Sequence, residues 1–379
     1  MNDQNGKVAF CWQSSSLTGA QKRFLALVSD LNERGISAIV LLEKSDAMAL
    51  EQIKGHRIPN VVSFQWPWWV KMLGRGRTRA YTLWSVFGFR FLFYFTSKLY
   101  LKKIQKNMGI TLWHVSMSTH FANSVPGPAL FEVTSPDWAE RVIRKSRTVP
   151  KDMILHAVSE SVYEKLVQAL PERKILMAPL MFPNLDPSVI GYPDMEKKEK
   201  LIVFAHRLVP RKHGVLFAKV ASRFLDENPE WRITIRGEGP DEEEIRRILL
   251  DHIKSSRAEV GYTKYLSDEL SKSCVFVSII EPDNYPSQSV LEAMIYGNAL
   301  LLSDEGLSKK KFFDGNGCMV SIDENDIFYK LSALSKDVNL KDYMARKSHE
   351  IALMRFSRDT YIDYILSLYC KVHQYVKTH

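Results

Sequence analysis

The chain has 379 residues, of which 45% are hydrophobic and 25% charged, as is typical of a globular protein with a sizeable core. This length favours two domains over one. The four cysteines lie far apart and form no CxxC or Cys/His cluster, which argues against a disulfide framework or a zinc site. The polar segment Met1–Gly6 lacks an export-signal pattern, and no uncharged apolar run could span a bilayer. We therefore expect a cytoplasmic protein.

The positive charge is concentrated in the first half of the chain. Residues 1–196 hold 24 Lys and Arg against 16 Asp and Glu, whereas the remainder holds 28 against 27. Between Gln52 and Phe131 there is no acidic residue. A basic half of this kind indicates an anionic partner.

The first half alternates between strand and helix patterns. Lys7–Trp12 is predicted as a strand, Gln21–Arg34 as an amphipathic helix that ends at Gly35, and Ile36–Leu42 as a second strand. This opening is typical of a parallel α/β sheet. Five further short apolar runs continue the pattern: Val61–Phe64, Leu112–Val115, Ala129–Val133, Met153–Val158 and Ile175–Ala178. Pro, Asp and charged residues between 182 and 200 predict a domain linker.

The stretch from Trp66 to Lys106 is basic and rich in aromatic residues. Indole rings favour the lipid headgroup region, and cations favour an anionic leaflet, so we interpret the stretch as a membrane-docking or acceptor surface without a membrane span. The alternatives are that the aromatic residues pack in the core, or that the stretch is a nucleic-acid groove, for which no motif is present. The candidate contacts are Trp66, Trp68, Trp69, Lys71, Arg75, Arg77 and Arg79.

The second half repeats the alternation. The predicted strands are Leu201–Ala205, Trp231–Arg236, Ala258–Tyr262, Val275–Ile280 and Ala299–Ser303. Amphipathic patterns predict helices at Gly214–Asn228 and Asp241–Ile253. A final helix over about Asp359–Val376 is apolar along one side. We therefore predict two parallel α/β domains in tandem.

Two cations stand where the strand Leu201–Ala205 ends. Arg207 and Lys212 fall between that strand and the following helix, at the carboxyl edge of the predicted sheet, where open α/β folds bind ligands. An Arg fork and a Lys point charge suit a diphosphate. The alternative is a solvated basic loop.

A second segment, Glu281–Gly297, also follows a buried strand. Pro286 with Ser287 or Ser289 can start a helix whose free backbone N–H groups form a phosphate site. Glu292 then falls near the first turns, where its carboxylate could accept both hydroxyls of a ribose. The alternative for Glu292 is an ordinary acidic residue near a helix start.

Taken together, these motifs resemble family 4 of the retaining glycosyltransferases. The matching segments, in family order, are Arg207-x4-Lys212, Gly237-Glu-Gly239-Pro240, Gly261 after a strand, and Ser289-x2-Glu292-Ala293-Met294-x2-Gly297. The resemblance implies the GT-B fold, with two Rossmann-like domains that face a cleft. It implies an N-terminal acceptor domain of residues 1–187, against which residues 358–379 return, and a donor domain of residues 188–357.

The resemblance also implies roles for particular residues. Arg207 and Lys212 correspond to the basic pair that grips the donor pyrophosphate and stabilises the leaving group, and Glu292 to the acid that binds ribose. The other implied donor contacts are Gly19, Gly261, Tyr262, Asn284, Tyr285, Ser287, Gln288 and Ser289.

The chain departs from the family pattern at two positions. Asn284 stands where relatives commonly have a Glu that touches the donor sugar, although Glu281 lies three residues upstream. Many relatives carry a His after the strand matching Ala129–Val133, where this chain offers Asp137 instead. His120 could substitute for that His, or could have an ordinary hydrogen-bonding role in a loop.

The resemblance implies a retaining glycosyltransferase that uses a nucleoside-diphosphate sugar, and we expect it to need neither a metal ion nor another cofactor. No Asp-x-Asp triplet is present to clamp a metal on the diphosphate. The expected acceptor is a lipid-linked saccharide or a surface polysaccharide at the inner face of the membrane. The alternatives are an inactive GT-B protein that binds nucleotide sugars or polysaccharide, and a GT-B phosphorylase or epimerase.

Overall fold

The chain divides into two compact units. The computed structural model describes residues 6–13, 19–68, 70 and 89–378. Unit 1 comprises Met1–Asn184 and Asp359–His379, and unit 2 comprises Leu185–Arg358. The predicted limits differ from these by three residues at the first boundary and by one at the second. The assignment of the acceptor to one unit and the donor to the other stays a prediction.

Unit 1 contains a parallel sheet. In its described residues the strands are β1 (Lys7–Cys11), β2 (Ala38–Glu43), β3 (Val61–Phe64), β4 (Ile110–Ser116), β5 (Ala129–Val133), β6 (Ile154–Ala157) and β7 (Ile175–Met177). The interleaved helices are α1 (Gly19–Glu33), α2 (Lys44–Lys54), α3 (Phe89–Met108), α4 (Thr119–Ser124), α5 (Pro136–Arg144) and α6 (Glu160–Ala169). The strand order is β3-β2-β1-β4-β5-β6-β7.

Unit 2 contains a second parallel sheet. Its strands are β8 (Glu199–Ala205), β9 (Arg232–Arg236), β10 (Ala258–Gly261), β11 (Ser273–Ser278), β12 (Ala299–Ser303) and β13 (Gly317–Val320), in the order β10-β9-β8-β11-β12-β13. The helices are α7 (Gly214–Glu227), α8 (Glu242–Ile248), α9 (Leu250–Lys254), α10 (Leu266–Lys272), α11 (Gln288–Ile295), α12 (Glu324–Lys336) and α13 (Val338–Arg355).

Both sheets have a topological switch point. In unit 1 the chain adds β2 and β3 on one side of β1 and then continues with β4 on the other side. In unit 2 it adds β9 and β10 beside β8 and then continues with β11 on the opposite side. A crevice is therefore expected at the carboxyl ends of β1 and β4 in unit 1, and at those of β8 and β11 in unit 2. Open α/β sheets bind their ligands at this position.

The last helix, α14 (Arg358–Thr378), packs on unit 1, as predicted. Its apolar face belongs to a hydrophobic cluster of unit 1 and includes Tyr361, Ile362, Ile365, Leu368, Tyr369 and Val372. Two hydrogen bonds add to this packing, because Tyr369 Oη lies 2.9 Å from His114 Nδ1 and Tyr364 Oη lies 2.8 Å from His156 Nε2.

A buried carboxylate lies behind these two hydrogen bonds. Glu132 on β5 forms an ion pair with Arg23 of α1, and its Oε2 lies 3.5 Å from His114 Nε2 and 3.6 Å from His156 Nδ1. Burial alone would raise the pKa of Glu132, but Arg23 and the two imidazoles outweigh burial and hold that pKa well below its usual range. This buried network of Arg23, Glu132, His114 and His156 joins α1, the sheet and α14.

The predicted element types agree with the structure where they were assigned. Val61–Phe64, Ala129–Val133 and Ala299–Ser303 match β3, β5 and β12 residue for residue. The predicted helix Asp241–Ile253 is interrupted at Leu249, which separates α8 from α9. Helices α2 to α6, α10, α12 and α13, and strand β13, were not predicted.

Candidate functional site

The turn from β8 into α7 carries the two predicted cations. A short 3₁₀ turn over Pro210–Lys212 leads into α7 at Gly214. The turn after β9 packs against this segment, with a hydrogen bond of 3.0 Å from Leu208 N–H to the carbonyl of Glu238. A Cβ on Gly237 would lie 1.8 Å from the carbonyl oxygen of His206, and one on Gly239 would lie 2.0 Å from that of Leu208. Only glycine permits this approach, which holds the Arg207 segment in place.

The cations of this turn have no anionic partner in the described part of the chain. Arg207 is exposed and Lys212 is partly buried, and neither forms an ion pair with a described carboxylate. Burial, together with the neighbouring charges of Arg211 and Arg207, lowers the pKa of Lys212 to about 7. A bound anion would relieve this repulsion, so the turn is suited to a polyanion.

The helix start after β11 lies beside this turn. Ser287 is the N-cap of α11 but makes no side-chain cap hydrogen bond. Its Oγ lies 3.2 Å from Ser289 Oγ, which in turn lies 3.3 Å from Nδ1 of His206. The structure therefore brings together the cationic turn and the N-terminus of α11, where backbone N–H groups and the helix dipole favour anions.

A second contact joins the same two segments. The exposed carboxylate of Glu281 lies 3.2 Å from His213 Nε2, and the Glu281 N–H donates to the carbonyl of Arg211 over 3.1 Å. His213 has a positive φ of 49° at the start of α7. Glu281 thus lies at the site, in agreement with its predicted position, and its contact with the donor sugar stays a prediction.

Asn284 is a correction to the expectation that its amide meets sugar hydroxyls. It is 1% exposed, and its Oδ1 accepts a hydrogen bond of 2.6 Å from Ser278 Oγ. Its Nδ2 donates to the Ser278 carbonyl over 3.2 Å and to Ser303 Oγ over 2.6 Å. The amide thus ties the end of β11 to the end of β12. Tyr285 is also buried and packs 5.0 Å from Phe312, measured between ring centroids.

The other predicted donor contacts lie on the same edge of unit 2. Gly261 ends β10, and Tyr262 after it is 61% exposed. Gln288 and Glu292 lie on α11 and are partly exposed, with Glu292 one turn from the helix start. Their roles in binding the base and the ribose stay predictions.

The predicted site residues of unit 1 are scattered. Gly19 begins α1, and Asp137 is an exposed acid in the first turn of α5. His120 lies on α4 with its ring 4.5 Å from that of Phe93 and 5.3 Å from that of Trp66. Burial, and then the charge of Lys145, lowers the pKa of His120 to about 4, so the imidazole is neutral at physiological pH.

The predicted membrane surface is corrected at one position. Trp66 is 8% exposed and packs against Phe64 and Phe121, so its ring is part of the core of unit 1. Trp68 is 72% exposed, and its membrane contact stays a prediction. The remaining candidates, Trp69, Lys71, Arg75, Arg77 and Arg79, lie outside the described residues.

Sequence reasoning missed two histidines of the site in unit 2. His206 bridges to Ser289, and His213 bridges to Glu281. Both lie in the turn between β8 and α7 that also carries Arg207 and Lys212. The available signal was their position between a strand and a helix, but their partners lie 83 and 68 residues away along the chain.

The described residues contain neither a membrane-spanning helix nor a cluster of metal ligands. No helix in the described ranges is long and apolar enough to cross a bilayer. Nowhere in that part of the chain do three His, Cys, Asp or Glu side chains lie close enough together to hold a metal ion. Metal independence stays a prediction.

Comparison with known structures shows the fold. A mutant of S. aureus TarM, solved with fondaparinux, alpha-GlcNAc-glycerol and UDP, is similar with a TM-score of 0.72 and 12% identity, covering 96% of this chain and 99% of that chain. The pneumococcal O-GlcNAc transferase GtfA with UDP and GlcNAc has a TM-score of 0.70 and 12% identity, with 97% and 99% covered. Anabaena HepE with UDP and glucose has a TM-score of 0.68 and 14% identity, with 97% and 100% covered.

Part of the chain also matches a family model in sequence. Residues 199–337, which include the cationic turn and α11, match the family model described as Glycosyl transferases group 1. A search of curated proteins found no match. The predicted resemblance and the two-domain GT-B fold are confirmed. Residues 199–337 are thus similar to glycosyltransferases in sequence, and the chain has the two-domain GT-B fold.

Proposed function

We propose that the chain transfers a sugar from a nucleoside-diphosphate sugar, and that the switch point of unit 2 holds the diphosphate. The observation that carries this proposal is the pair Arg207 and Lys212, which lack a described anionic partner and lie beside the N-terminus of α11. Two cations and a helix N-terminus are the groups that bind a diphosphate. The similar structures of TarM, GtfA and HepE contain UDP, which supports a uridine nucleotide as the first donor to test.

The proposed reaction is transfer with retention of configuration and without a metal ion. The bond between the anomeric carbon and the diphosphate oxygen breaks, and the acceptor hydroxyl forms the new bond on the same face of the sugar. The hydroxyl proton passes to the departing diphosphate oxygen. Arg207, protonated Lys212 and the N–H groups at the start of α11 stabilise the charge on the leaving group, which is the electrostatic contribution that dominates such catalysis.

The proposed acceptor is a lipid-linked saccharide or a growing polysaccharide of the cell surface, reached at the inner face of the membrane. The outer face of α3 supports membrane contact. Leu92, Phe95 and Leu99 are 41%, 49% and 52% exposed and fall on one side of that helix. The exposed lysines that continue this side are Lys98, Lys102, Lys103 and Lys106. Each lysine near an anionic leaflet contributes about 1 kcal/mol of attraction.

A panel of nucleotide sugars tests the transferase activity. UDP-, GDP- and ADP-sugars are incubated with the enzyme and membrane extract, and released nucleoside diphosphate is measured with and without EDTA. We expect turnover with a UDP-sugar that EDTA leaves unchanged. Nucleotide binding without turnover for any donor would instead favour a binding protein, and loss of turnover in EDTA would contradict metal independence.

Vesicle sedimentation tests the membrane contact. Phe95→Asp with Leu99→Asp should reduce the fraction that sediments with vesicles containing phosphatidylglycerol, because the changes place two charges on the apolar part of α3. Met354→Asp is the matched control, since Met354 is 70% exposed on α13 of unit 2. If both variants sediment with the vesicles to the same extent as the wild type, docking through α3 is contradicted.

A further inference from the structure

His206 connects the end of β8 to the start of α11 through two serine hydroxyls. Its Nδ1 lies 3.3 Å from Ser289 Oγ, which lies 3.2 Å from Ser287 Oγ. His206 directly follows β8, and Ser287 is the N-cap of α11. This His–Ser–Ser series therefore joins the two segments that are proposed to hold the diphosphate. Its three side chains are distinct from the cations and the backbone N–H groups to which that role is given.

The imidazole of His206 is neutral. Burial, and then the charge of Lys212, holds its pKa well below its usual range. A neutral imidazole carries one N–H hydrogen, on either Nδ1 or Nε2. The rings of Phe204 and Phe276 lie 5.0 and 6.0 Å from that of His206, measured between centroids. In these apolar surroundings Nε2 is buried and has no hydrogen-bond partner among the described residues.

The surroundings of Nε2 determine which nitrogen carries the hydrogen. A hydrogen on Nε2 would be a buried donor without an acceptor, which native proteins rarely contain. A hydrogen on Nδ1 has an acceptor, because Ser289 Oγ lies within hydrogen-bond distance of that nitrogen. The tautomer of a histidine is set by the hydrogen bonds that its nitrogens make. The hydrogen of His206 therefore belongs on Nδ1.

This tautomer gives the His–Ser–Ser series a direction. Ser289 Oγ accepts from His206 Nδ1–H, and the single hydrogen of Ser289 is then available to donate to Ser287 Oγ. Successive hydrogen bonds of this kind polarise and strengthen one another. Ser287 makes no side-chain cap hydrogen bond, so its oxygen leaves the first N–H groups of α11 open. Its own hydroxyl hydrogen is left without an acceptor in the described part of the chain.

We propose that His206 is a positioning residue that directs the hydroxyl hydrogen of Ser287 to the diphosphate. Ser287 Oγ then donates to one diphosphate oxygen, while the N–H groups of α11 bind other oxygens of the same ligand. A hydrogen bond to a charged group is stronger than one between neutral groups. This inference rests on the proposed function, and it adds an uncharged donor to the cations Arg207 and Lys212.

Binding of UDP and of uridine to the full-length protein tests this role. Without a donor at position 206, Ser289 Oγ is free to accept from Ser287, and the Ser287 hydrogen turns away from the ligand. His206→Phe keeps an aromatic ring but removes Nδ1, and should weaken UDP binding about fivefold. Ser287→Ala removes the donor itself and should weaken UDP binding about tenfold. Uridine has no phosphate, so both variants should bind it as the wild type does.

Three further variants separate positioning from packing. The double variant His206→Phe with Ser287→Ala should bind UDP no more weakly than Ser287→Ala alone, because His206 acts through that hydroxyl. His206→Asn offers a side-chain N–H donor near the position of Nδ1, and should keep UDP affinity within about twofold of the wild type. His252→Phe is the matched control: His252 of unit 2 is buried, its Nε2 lies 3.3 Å from Ser222 Oγ, and its loss should leave UDP affinity unchanged.

The outcomes distinguish this inference from the proposed function. If the wild type does not bind UDP, or if Arg207→Ala and Lys212→Ala bind it as tightly as the wild type, the proposed diphosphate site is wrong and this inference falls with it. If those two variants lose affinity, three results overturn this inference alone: unchanged UDP binding by His206→Phe, an equal loss for uridine, or losses that multiply in the double variant.

A second variant covers the case in which circular dichroism shows that His206→Phe does not fold. Ser289→Ala interrupts the same His–Ser–Ser series without changing a large side chain, and should weaken the binding of UDP but not that of uridine. Equal UDP affinity of Ser289→Ala and the wild type would overturn the role of His206, since no hydrogen bond could then pass from His206 to Ser287.

Discussion

The switch points of the two units have the same topology and opposite chemistry. In unit 2 the crevice beside β8 and β11 presents Arg207 and Lys212 without described counter-ions, and a helix N-terminus. In unit 1 the crevice beside β1 and β4 presents aromatic rings, amides and a neutral imidazole. Unit 1 also has an ion pair between Arg23 and Glu132, but this pair belongs to the buried network that connects α1, the sheet and α14. The buried charge pair of unit 1 connects structural elements, whereas the cations of unit 2 without described counter-ions are the ones that we propose to bind an anion.

Removal of the buried carboxylate tests one side of that comparison. Glu132→Gln should lower the free energy of unfolding by roughly 3–5 kcal/mol, because it removes the carboxylate that forms the ion pair with the buried Arg23 guanidinium. The measurement is urea denaturation followed by circular dichroism. Glu140→Gln is the control, since the exposed pair of Glu140 with Lys165 should contribute less than about 1 kcal/mol. Equal effects of the two changes would show that the buried network has no special structural part.

Removal of a cation from unit 2 tests the other side. Arg207→Ala and Lys212→Ala should each reduce sugar transfer at least about tenfold, because each removes one charge from the departing diphosphate. The unfolding free energy should stay near that of the wild type. Lys219→Ala, on the exposed face of α7, is the matched control and should transfer normally. Transfer at wild-type rates by either variant would contradict the assignment.

The ribose contact has a test that separates it from charge. Glu292→Ala should weaken UDP binding about tenfold, as expected for the loss of hydrogen bonds to a charged group. The wild type should also prefer UDP to 2′-deoxy-UDP, while the variant should bind both equally, since the group that reads the hydroxyl is gone. Calorimetry of the four pairs gives the coupling. A variant that keeps the full preference would show that Glu292 does not touch the ribose.

The smallest expected effect concerns the anchor of the last helix. Tyr369→Phe should cost about 1 kcal/mol of unfolding free energy, because His114 Nδ1 loses its hydrogen-bond partner while the packing is kept. Urea denaturation measures the change. Donor affinity should not change, and a shift in donor affinity larger than that in stability would contradict a purely structural part for this contact.

Local patterns predicted much of the fold and located the cations of one candidate site. Apolar runs bounded by Gly, Pro and Asp located the buried strands, because a parallel sheet is covered on both faces and leaves a continuous apolar segment. Helix α2 was not predicted, because Ala47 and Leu50 are its only buried side chains and many of the other positions are polar. The turn that carries Arg207 and Lys212 could be located from the sequence because its residues are close together along the chain.

The features that the sequence did not predict depend on packing between residues that are far apart along the chain. The sequence predicts Trp66 as a membrane contact, like the nearby Trp68. In the structure, contacts with Phe64 and Phe121 bury Trp66, whereas Trp68 is exposed. The family resemblance implies that Asn284 contacts the donor. In the structure, its amide forms hydrogen bonds with Ser278 and Ser303 instead. A cavity of about 700 Å³ at the carboxyl edge of the unit 1 sheet is lined by residues from position 13 to position 145, a combination that no local motif contains.

The most direct test of the central claim is the pH dependence of UDP binding. The pKa of Lys212 is lowered to about 7, so the side chain is charged below that pH and neutral above it. Lys212→Arg stays charged throughout, and both proteins share the ionisation of UDP itself. Between about pH 6 and pH 8 the affinity of the wild type should therefore fall up to about tenfold relative to that of Lys212→Arg. Parallel pH profiles of the two proteins would contradict the claim that Lys212 holds the diphosphate.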